Sequence, residues 1–99
     1  MPFHIHIPDA EQAYLDGLPL SPEAKERVNR FVEGVIANIS DQFRLDPANR
    51  ADPSKPYFRI RQVIVDIWGD GSEHSIDFHV RDDKVAFGVL LIVFIDHNG

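Results

Sequence analysis

The chain has 99 residues, a length typical of one small domain, and 43% of them are hydrophobic, which is enough for a packed core. It contains no cysteine, which excludes disulfide bonds and thiolate metal sites. The formal net charge of −6 argues against broad nonspecific binding to nucleic acid, because such binding depends on Lys and Arg neutralising phosphates. The first residues lack a basic region followed by an apolar run, so a cytoplasmic location is expected.

The N-terminal segment predicts a short strand followed by a short helix. Residues 3–7 alternate between apolar residues on one face and His4 and His6 on the other. Pro8 ends this strand and favours a position at the edge of a sheet. A short helix is expected over residues 10–16, because a glycine follows as a stop signal.

The next segment predicts one long helix. Ser21 and Pro22 are a strong helix start, with a hydroxyl cap followed by proline in the first turn. Apolar residues then recur at spacings of three and four as far as Phe43, which favours one helix from Pro22 to about Phe43. Gly34 lies off the apolar stripe and marks a point where this helix could break.

The C-terminal half predicts a three-stranded antiparallel meander. Residues 45–56 contain three prolines and are expected to form a loop. The strand that follows begins with alternation over residues 57–61, but residues 63–65 are continuously apolar, which predicts cover on both faces. Residues 76–80 alternate cleanly, and residues 85–95 are almost wholly apolar, as expected for the central strand.

Together these elements predict a single α+β domain. Its sheet has four strands, is mainly antiparallel and twisted, and combines the short N-terminal strand with the C-terminal meander. One long and one short helix pack on it. Since one long helix covers only one face, the other face is expected to be buried in a homodimer or against a partner protein. Leu90, Ile92 and Phe94 are predicted to lie at that interface.

Histidine gives the first candidate site. His4 and His6 share one strand face, which is metal-ligand geometry if other ligands converge on them. The alternative is a pair of exposed histidines on a solvated sheet edge. The alternative is favoured, because no other ligand spacing accompanies the pair.

Arginine gives the second candidate site. Tyr57, Arg59 and Arg61 share a strand face, and Arg81 points outward from the neighbouring strand. Such a patch is suited to a phosphate, a carboxylate or RNA. The favoured alternative is cross-strand pairing of these arginines with Asp77.

The remaining residues give no catalytic motif. The sequence contains no meaningful Ser/His/Asp order and no phosphate-binding glycine loop, so no catalytic residue and no cofactor is predicted. Asp66 stands out because apolar residues flank it. A buried carboxylate at that position would need a partner.

The order of short strand, two helices and three-stranded meander resembles that of the RelE/ParE toxin superfamily. The matching stretches are residues 3–7 for the first strand, 21–24 for a helix entry, 58–61 for the family's Arg-rich strand and 89–97 for its last strand. The resemblance implies a toxin–antitoxin protein that binds a partner protein, such as a small antitoxin-like protein, and acts on RNA or another macromolecular target. It also implies that Arg59, Arg61 and Arg81 face the RNA.

This chain departs from the family pattern in three ways. It is acidic, where the ribonuclease branch is basic; its first predicted helix is shorter; and its loop over residues 45–56 is long. These departures favour a diverged member without nuclease activity. The alternatives are a non-catalytic homodimeric interaction domain, or a small metal-binding protein that uses His4 and His6.

Overall fold

The structure of the chain, a computed structural model, describes residues 2–50 and 54–99. The strands are β1 (His4–His6), β2 (Tyr57–Val65), β3 (Glu73–Arg81) and β4 (Val89–Asn98). The helices are α1 (Asp9–Asp16), α2 (Pro22–Phe31) and α3 (Asp41–Leu45), with a π-helical turn at Val32–Ile36 and 3-10 turns at Pro47–Asn49 and Val85–Phe87. Within the described ranges, no helix has the length and apolar character needed to cross a membrane.

The four strands form one sheet in the order β1-β4-β3-β2. The meander β2-β3-β4 is antiparallel, as expected, but β1 pairs with β4 in parallel. The α+β class is therefore confirmed, with a mixed rather than a mainly antiparallel sheet. A parallel pair requires a crossover between its strands, and the helices with the first two meander strands supply it. β1 occupies the edge position that Pro8 favoured.

The predicted single helix over Pro22–Phe43 is wrong, because the chain leaves the helix after the π-helical turn. This turn contains Gly34, whose carbonyl oxygen accepts a hydrogen bond from Asn38 Nδ2 at 2.7 Å. Ser40 then starts α3, since its Oγ accepts from the backbone N–H of Phe43 at 3.1 Å. After the break, Phe43 in α3 packs edge-on against Phe58 at the start of β2.

The predicted loop over residues 45–56 is partly ordered. It contains a 3-10 turn, and Arg50 forms an isolated antiparallel bridge with Phe58 at the start of β2. Residues 51–53 lie outside the described part of the chain.

The core lies between the helices and one face of the sheet, the inner face. The strands contribute Phe58, Ile60, Ile64, Ile76, Phe78, Val80, Leu90, Ile92 and Ile95, and the helical side contributes Leu15, Leu18, Leu20, Ala24, Val28, Val32 and Ile36. Two aromatic contacts join the layers. The Phe31 and Phe78 rings are stacked with centroids 5.7 Å apart, and Phe43 meets Phe58 edge-on at 6.3 Å.

A β-bulge in β4 overturns part of the predicted interface. Successive residues of β3 lie opposite Ile92 and Phe94, so Val93 is an extra residue and the alternation reverses there. Leu90 and Ile92 are fully buried in the core, whereas Phe94 is 49% exposed on the other face. Leu90 and Ile92 therefore cannot form an interface on the uncovered face; of the three predicted residues, Phe94 alone lies there.

Two other strand predictions are corrected. The strand expected from residue 85 begins at Val89, because Val85–Phe87 forms a 3-10 turn that ends at Gly88 with φ of 73°. Val63 and Val65 were expected to be covered on both sides of β2, yet they are 55% and 48% exposed. These side chains lie on the sheet face that is directed away from the helices.

Candidate functional site

The open face is the sheet face directed away from the helices. Its residues are His4 and His6 on β1, Tyr57, Arg59, Arg61, Val63 and Val65 on β2, Glu73, Ser75, Asp77, His79 and Arg81 on β3, and Val89, Leu91, Phe94, Asp96 and Asn98 on β4. Every one of these residues is exposed or half-buried. The open face is therefore a solvent-facing surface on the isolated chain.

A groove of about 500 Å³ crosses the open face. Aromatic rings from three adjacent strands lie in or beside it. The Tyr57 and His79 rings are 5.9 Å apart at 29°, and His79 meets Phe94 edge-on at 5.3 Å. Ala48 and Asn49, from the 3-10 turn before β2, form one rim of the groove. The sheet thus presents a polarisable floor bordered by a polar turn.

The arginines around this groove are largely paired. Arg61 Nε donates to Asp77 Oδ1 at 2.7 Å, which confirms the predicted cross-strand pair. Arg81 donates to both carboxylate oxygens of Asp83, at 2.9 and 2.8 Å. In the described part of the chain, Arg59 has no ion pair or side-chain hydrogen bond. The predicted cationic patch therefore contains one uncommitted guanidinium.

The groove carries charges of both signs. Asp77 and Asp96 lie opposite each other on neighbouring strands, and both line the groove. Burial and the nearby Arg59 lower the pKa of His79, so its imidazole is neutral at neutral pH. The site is consequently amphoteric, and it does not have the strong positive charge that phosphate binding favours.

His4 and His6 lie at the β1 edge of the open face, opposite Val89 and Leu91. Among the described residues, one group of three potential metal ligands is close enough to hold an ion, and it contains neither histidine. The metal site at His4 and His6 stays a prediction without a third ligand beside it in the described residues.

The group that does converge is a polar cluster on the inner face, formed by Asp66, Asp70, Ser72, His74 and His97. Asp66 follows β2 and is only 1% exposed. Its carboxylate accepts from Ser21 Oγ at 2.6 Å and from Ser21 N–H at 2.7 Å. Hydrogen bonds from the Ser21 side chain and backbone lower the pKa of Asp66. The expectation that a buried Asp66 must be paired is confirmed.

The turn after β2 brings the rest of the cluster to Asp66. The backbone N–H groups of Gly69 and Gly71 donate to the Asp66 carbonyl oxygen at 3.1 and 2.8 Å. Gly71 has φ of 73°, a conformation that glycine adopts without strain. A Cβ on Gly69 would lie 2.5 Å from Asp66 Oδ2, so the close approach requires glycine.

His74 is the centre of the cluster and is 3% exposed. Its Nε2 lies 3.2 Å from Asp70 Oδ1 and 3.0 Å from Ser72 Oγ, and its Nδ1 lies 2.9 Å from His97 Nε2. Hydrogen bonds from Ser72, first from its backbone N–H, lower the pKa of Asp70 to about 2. The ionised Asp70 accepts only, so in the neutral ring His74 Nε2 carries the proton and Nδ1 is the acceptor towards His97.

His74 was not predicted as a member of a site, and its contact with His97 was not predicted either. The alternation that places Ile76 inward also places His74 inward, so this signal was present. His97 faces inward only because of the bulge at Val93, which no sequence pattern marked. Tyr14 in α1 fixes this end of β4, since its hydroxyl accepts from the His97 backbone N–H at 3.1 Å.

Comparison of the chain with known protein families, curated proteins and solved structures found no match. The resemblance to the RelE/ParE superfamily therefore stays a prediction. Function has to be argued from the open face and the polar cluster themselves.

Proposed function

We propose that the chain is a non-catalytic interaction domain that forms a homodimer through the open face. The observation that carries this proposal is the position of Phe94, which is 49% exposed on an interior strand of the sheet. Val63 and Val65 add exposed apolar area on β2. Large apolar side chains exposed on an uncovered sheet face of this kind mark an interaction surface.

The dimensions of the open face suit a dimer contact. β2 and β3 are each nine residues long, β4 has ten residues and β1 only three, at about 3.3 Å per residue and about 4.8 Å between strands. That footprint is roughly 500 Å² before side-chain relief is counted. It is of the same order as the roughly 800 Å² per partner of a standard stable interface.

The charges of the open face favour a second copy of the same chain. Arg59 is uncommitted among the described residues, and Asp96 is exposed on the same face. In a two-fold contact the same surface meets itself, so Arg59 of one copy can lie opposite Asp96 of the other. A strongly acidic or strongly basic partner would leave one of these charges opposite a like charge.

Sedimentation velocity at micromolar concentration tests the proposal. The chain should sediment as a dimer of its 11.3 kDa mass. Phe94→Asp should weaken association by roughly tenfold or more, because it places a charge at the centre of the contact. Val35→Asp is the matched control, since Val35 is 45% exposed on the helical side. A monomeric wild-type chain, or equal effects of both substitutions, would contradict the proposal.

Arg59 supports a second candidate, in which the groove binds single-stranded RNA as the RelE/ParE resemblance implies. An arginine beside aromatic side chains suits both phosphates and stacked bases. Asp77 and Asp96 in the same groove repel phosphate, so this candidate ranks below the dimer.

A small antitoxin-like protein is an alternative occupant of the open face, in place of a second copy of the chain or RNA. A cytoplasmic location remains part of the proposal.

A further inference from the structure

We propose that the polar cluster is a binding site for one divalent transition-metal ion, with Asp66, Asp70 and His74 as its ligands and zinc as the preferred ion. One potential ligand atom from each of these residues lies within 4.8 Å of the others. The site lies on the inner face of the sheet. It is separate from the open face and from the His4 and His6 pair on β1.

Burial distinguishes this cluster from a chance group of surface acids. Asp66 and His74 are 1% and 3% exposed, so both are withdrawn from water and point into the cluster. Two carboxylates lie close together there, and an ion between them would relieve their mutual repulsion. In a partly buried site that attraction is stronger than it would be in water.

The surrounding hydrogen bonds hold the ligands as metal sites require. Ser21 fixes the Asp66 carboxylate through its N–H and Oγ–H groups. His97 contacts Nδ1 of His74, the nitrogen that faces away from Asp70, at 2.9 Å. Metal-bound histidines and carboxylates commonly have such outer partners, which set the orientation of the ligand and the tautomer of the imidazole.

The donor set points to the class of metal. Two carboxylate oxygens and one imidazole nitrogen suit zinc, with manganese as a weaker competitor. Ligands at about 2.0–2.1 Å in a tetrahedron lie about 3.3 Å apart, so the cluster has to contract. Asp70 can supply that movement, because its side chain is 55% exposed in the turn between β2 and β3.

Metal binding would change the protonation pattern of the two histidines. His74 Nε2 faces Asp70 and carries a proton, but it must be unprotonated to bind zinc. His74 therefore has to take its other neutral tautomer, with the proton on Nδ1 donated to His97 Nε2. His97 then carries its own proton on Nδ1, so the contact between the two rings keeps one donor and one acceptor.

Calorimetric titration of the metal-free full chain with zinc tests the site. We expect one saturable site per chain. Asp70→Asn should weaken zinc binding by about tenfold or more, because it removes a charged ligand while keeping the size of the side chain. The double variant His4→Ala/His6→Ala is the control and should bind zinc like the wild-type chain.

Nitrogen-15 NMR of the histidine rings provides a second readout. On zinc addition, the Nε2 signal of His74 should move to the metal-bound range, and Nδ1 should gain the proton. Absence of saturable zinc binding would overturn the proposal, and so would an unchanged affinity in Asp70→Asn. Loss of zinc binding in the His4/His6 double variant alone would place the metal on β1 instead.

Discussion

Ser21 joins the start of α2 to the end of β2, although Asp66 lies 45 positions further along the chain. Its Oγ donates to Asp66 Oδ1 at 2.6 Å and accepts from the backbone N–H of Ala24 at 3.1 Å. One hydroxyl thus caps the helix and satisfies a buried carboxylate. The Asp66 carboxylate is held rigidly as a result, and nearby backbone must fit around it.

Two glycine substitutions test that rigidity. Gly69→Ala should lower the free energy of unfolding by about 1–3 kcal/mol, because its Cβ would lie 2.5 Å from the fixed Asp66 Oδ2. Gly34→Ala is the matched control, since a Cβ there meets nothing within 4 Å in the described structure. It should raise the free energy of unfolding by about 0.5–1 kcal/mol. Urea denaturation measures both, and equal stabilities would contradict the proposed close approach.

At the scale of elements, Asp82 fastens the segment from α3 to the following 3-10 turn onto the end of β3. Arg50 Nη1 donates to Asp82 Oδ2 at 2.7 Å, and Arg44 Nη1 donates to the same oxygen at 3.1 Å. The Asp82 side chain is 5% exposed, and those of Arg44 and Arg50 are 12% and 14% exposed. This mostly buried ion triad fixes the rim of the groove.

The triad predicts a dependence of stability on pH. Burial alone would raise the pKa of Asp82, but hydrogen bonds from Arg50 and Arg44 outweigh it, so the folded pKa lies below the usual value. An unfolded Asp titrates near pKa 3.9. The stabilisation is therefore present above about pH 4 and is lost as the pH falls through the folded pKa.

Asp82→Asn tests this dependence. At pH 7 it should lower the free energy of unfolding by about 3 kcal/mol, because it leaves two partly buried arginines without their counter-ion. The difference from wild type should shrink as the pH falls below about 4. Urea denaturation across the pH range checks this, and a difference that stays constant with pH would show that charge is not the cause.

The sequence predicted an element correctly where its pattern of apolar residues continued without interruption along the element. Alternation placed Ile76, Phe78 and Val80 on the inner face correctly, because β3 has no irregularity along its own chain. It failed in β4, where Val93 reverses the faces and only the pairing with β3 reveals it. The prediction of one helix over Pro22–Phe43 failed for a similar reason. The spacing of the apolar residues continues past the π-helical turn, although the helix itself ends there.

The polar cluster was predictable only in part. The apolar residues on either side of Asp66 indicated that its carboxylate needed a partner. That partner is Ser21, which lies 45 positions away in the chain. Tertiary structure decides such a pairing. The inward direction of His74 followed from alternation. Its contact with His97 depended on the bulge, so the convergence of the ligands could not be derived from spacing.

At the scale of the whole molecule, the sheet separates two kinds of chemistry. Its inner face carries the core and, at one end, the polar cluster with Asp66 and His74. Its open face carries the groove with Phe94 and Arg59. Because the two sites lie on opposite faces, dimerisation and zinc binding can be tested independently of each other.

On the open face, one uncommitted arginine is set against the negative charge of the whole chain. The net charge is −6, and Asp77 and Asp96 line the same groove as Arg59. Binding of labelled single-stranded RNA should therefore be weak already at about 50 mM salt, because few phosphates are neutralised. Fluorescence anisotropy measures this binding.

The same charge balance predicts that the purified chain does not cleave ribosome-bound messenger RNA. Arg61 is paired with Asp77, and the carboxylates of Asp77 and Asp96 in the groove repel the phosphates of an RNA chain. Cleavage should be absent in the wild-type chain and in Arg61→Ala alike. Cleavage by the wild-type chain that disappears in Arg61→Ala would contradict this expectation. It would mean that the local arginine patch outweighs the net charge and that the open face acts on RNA.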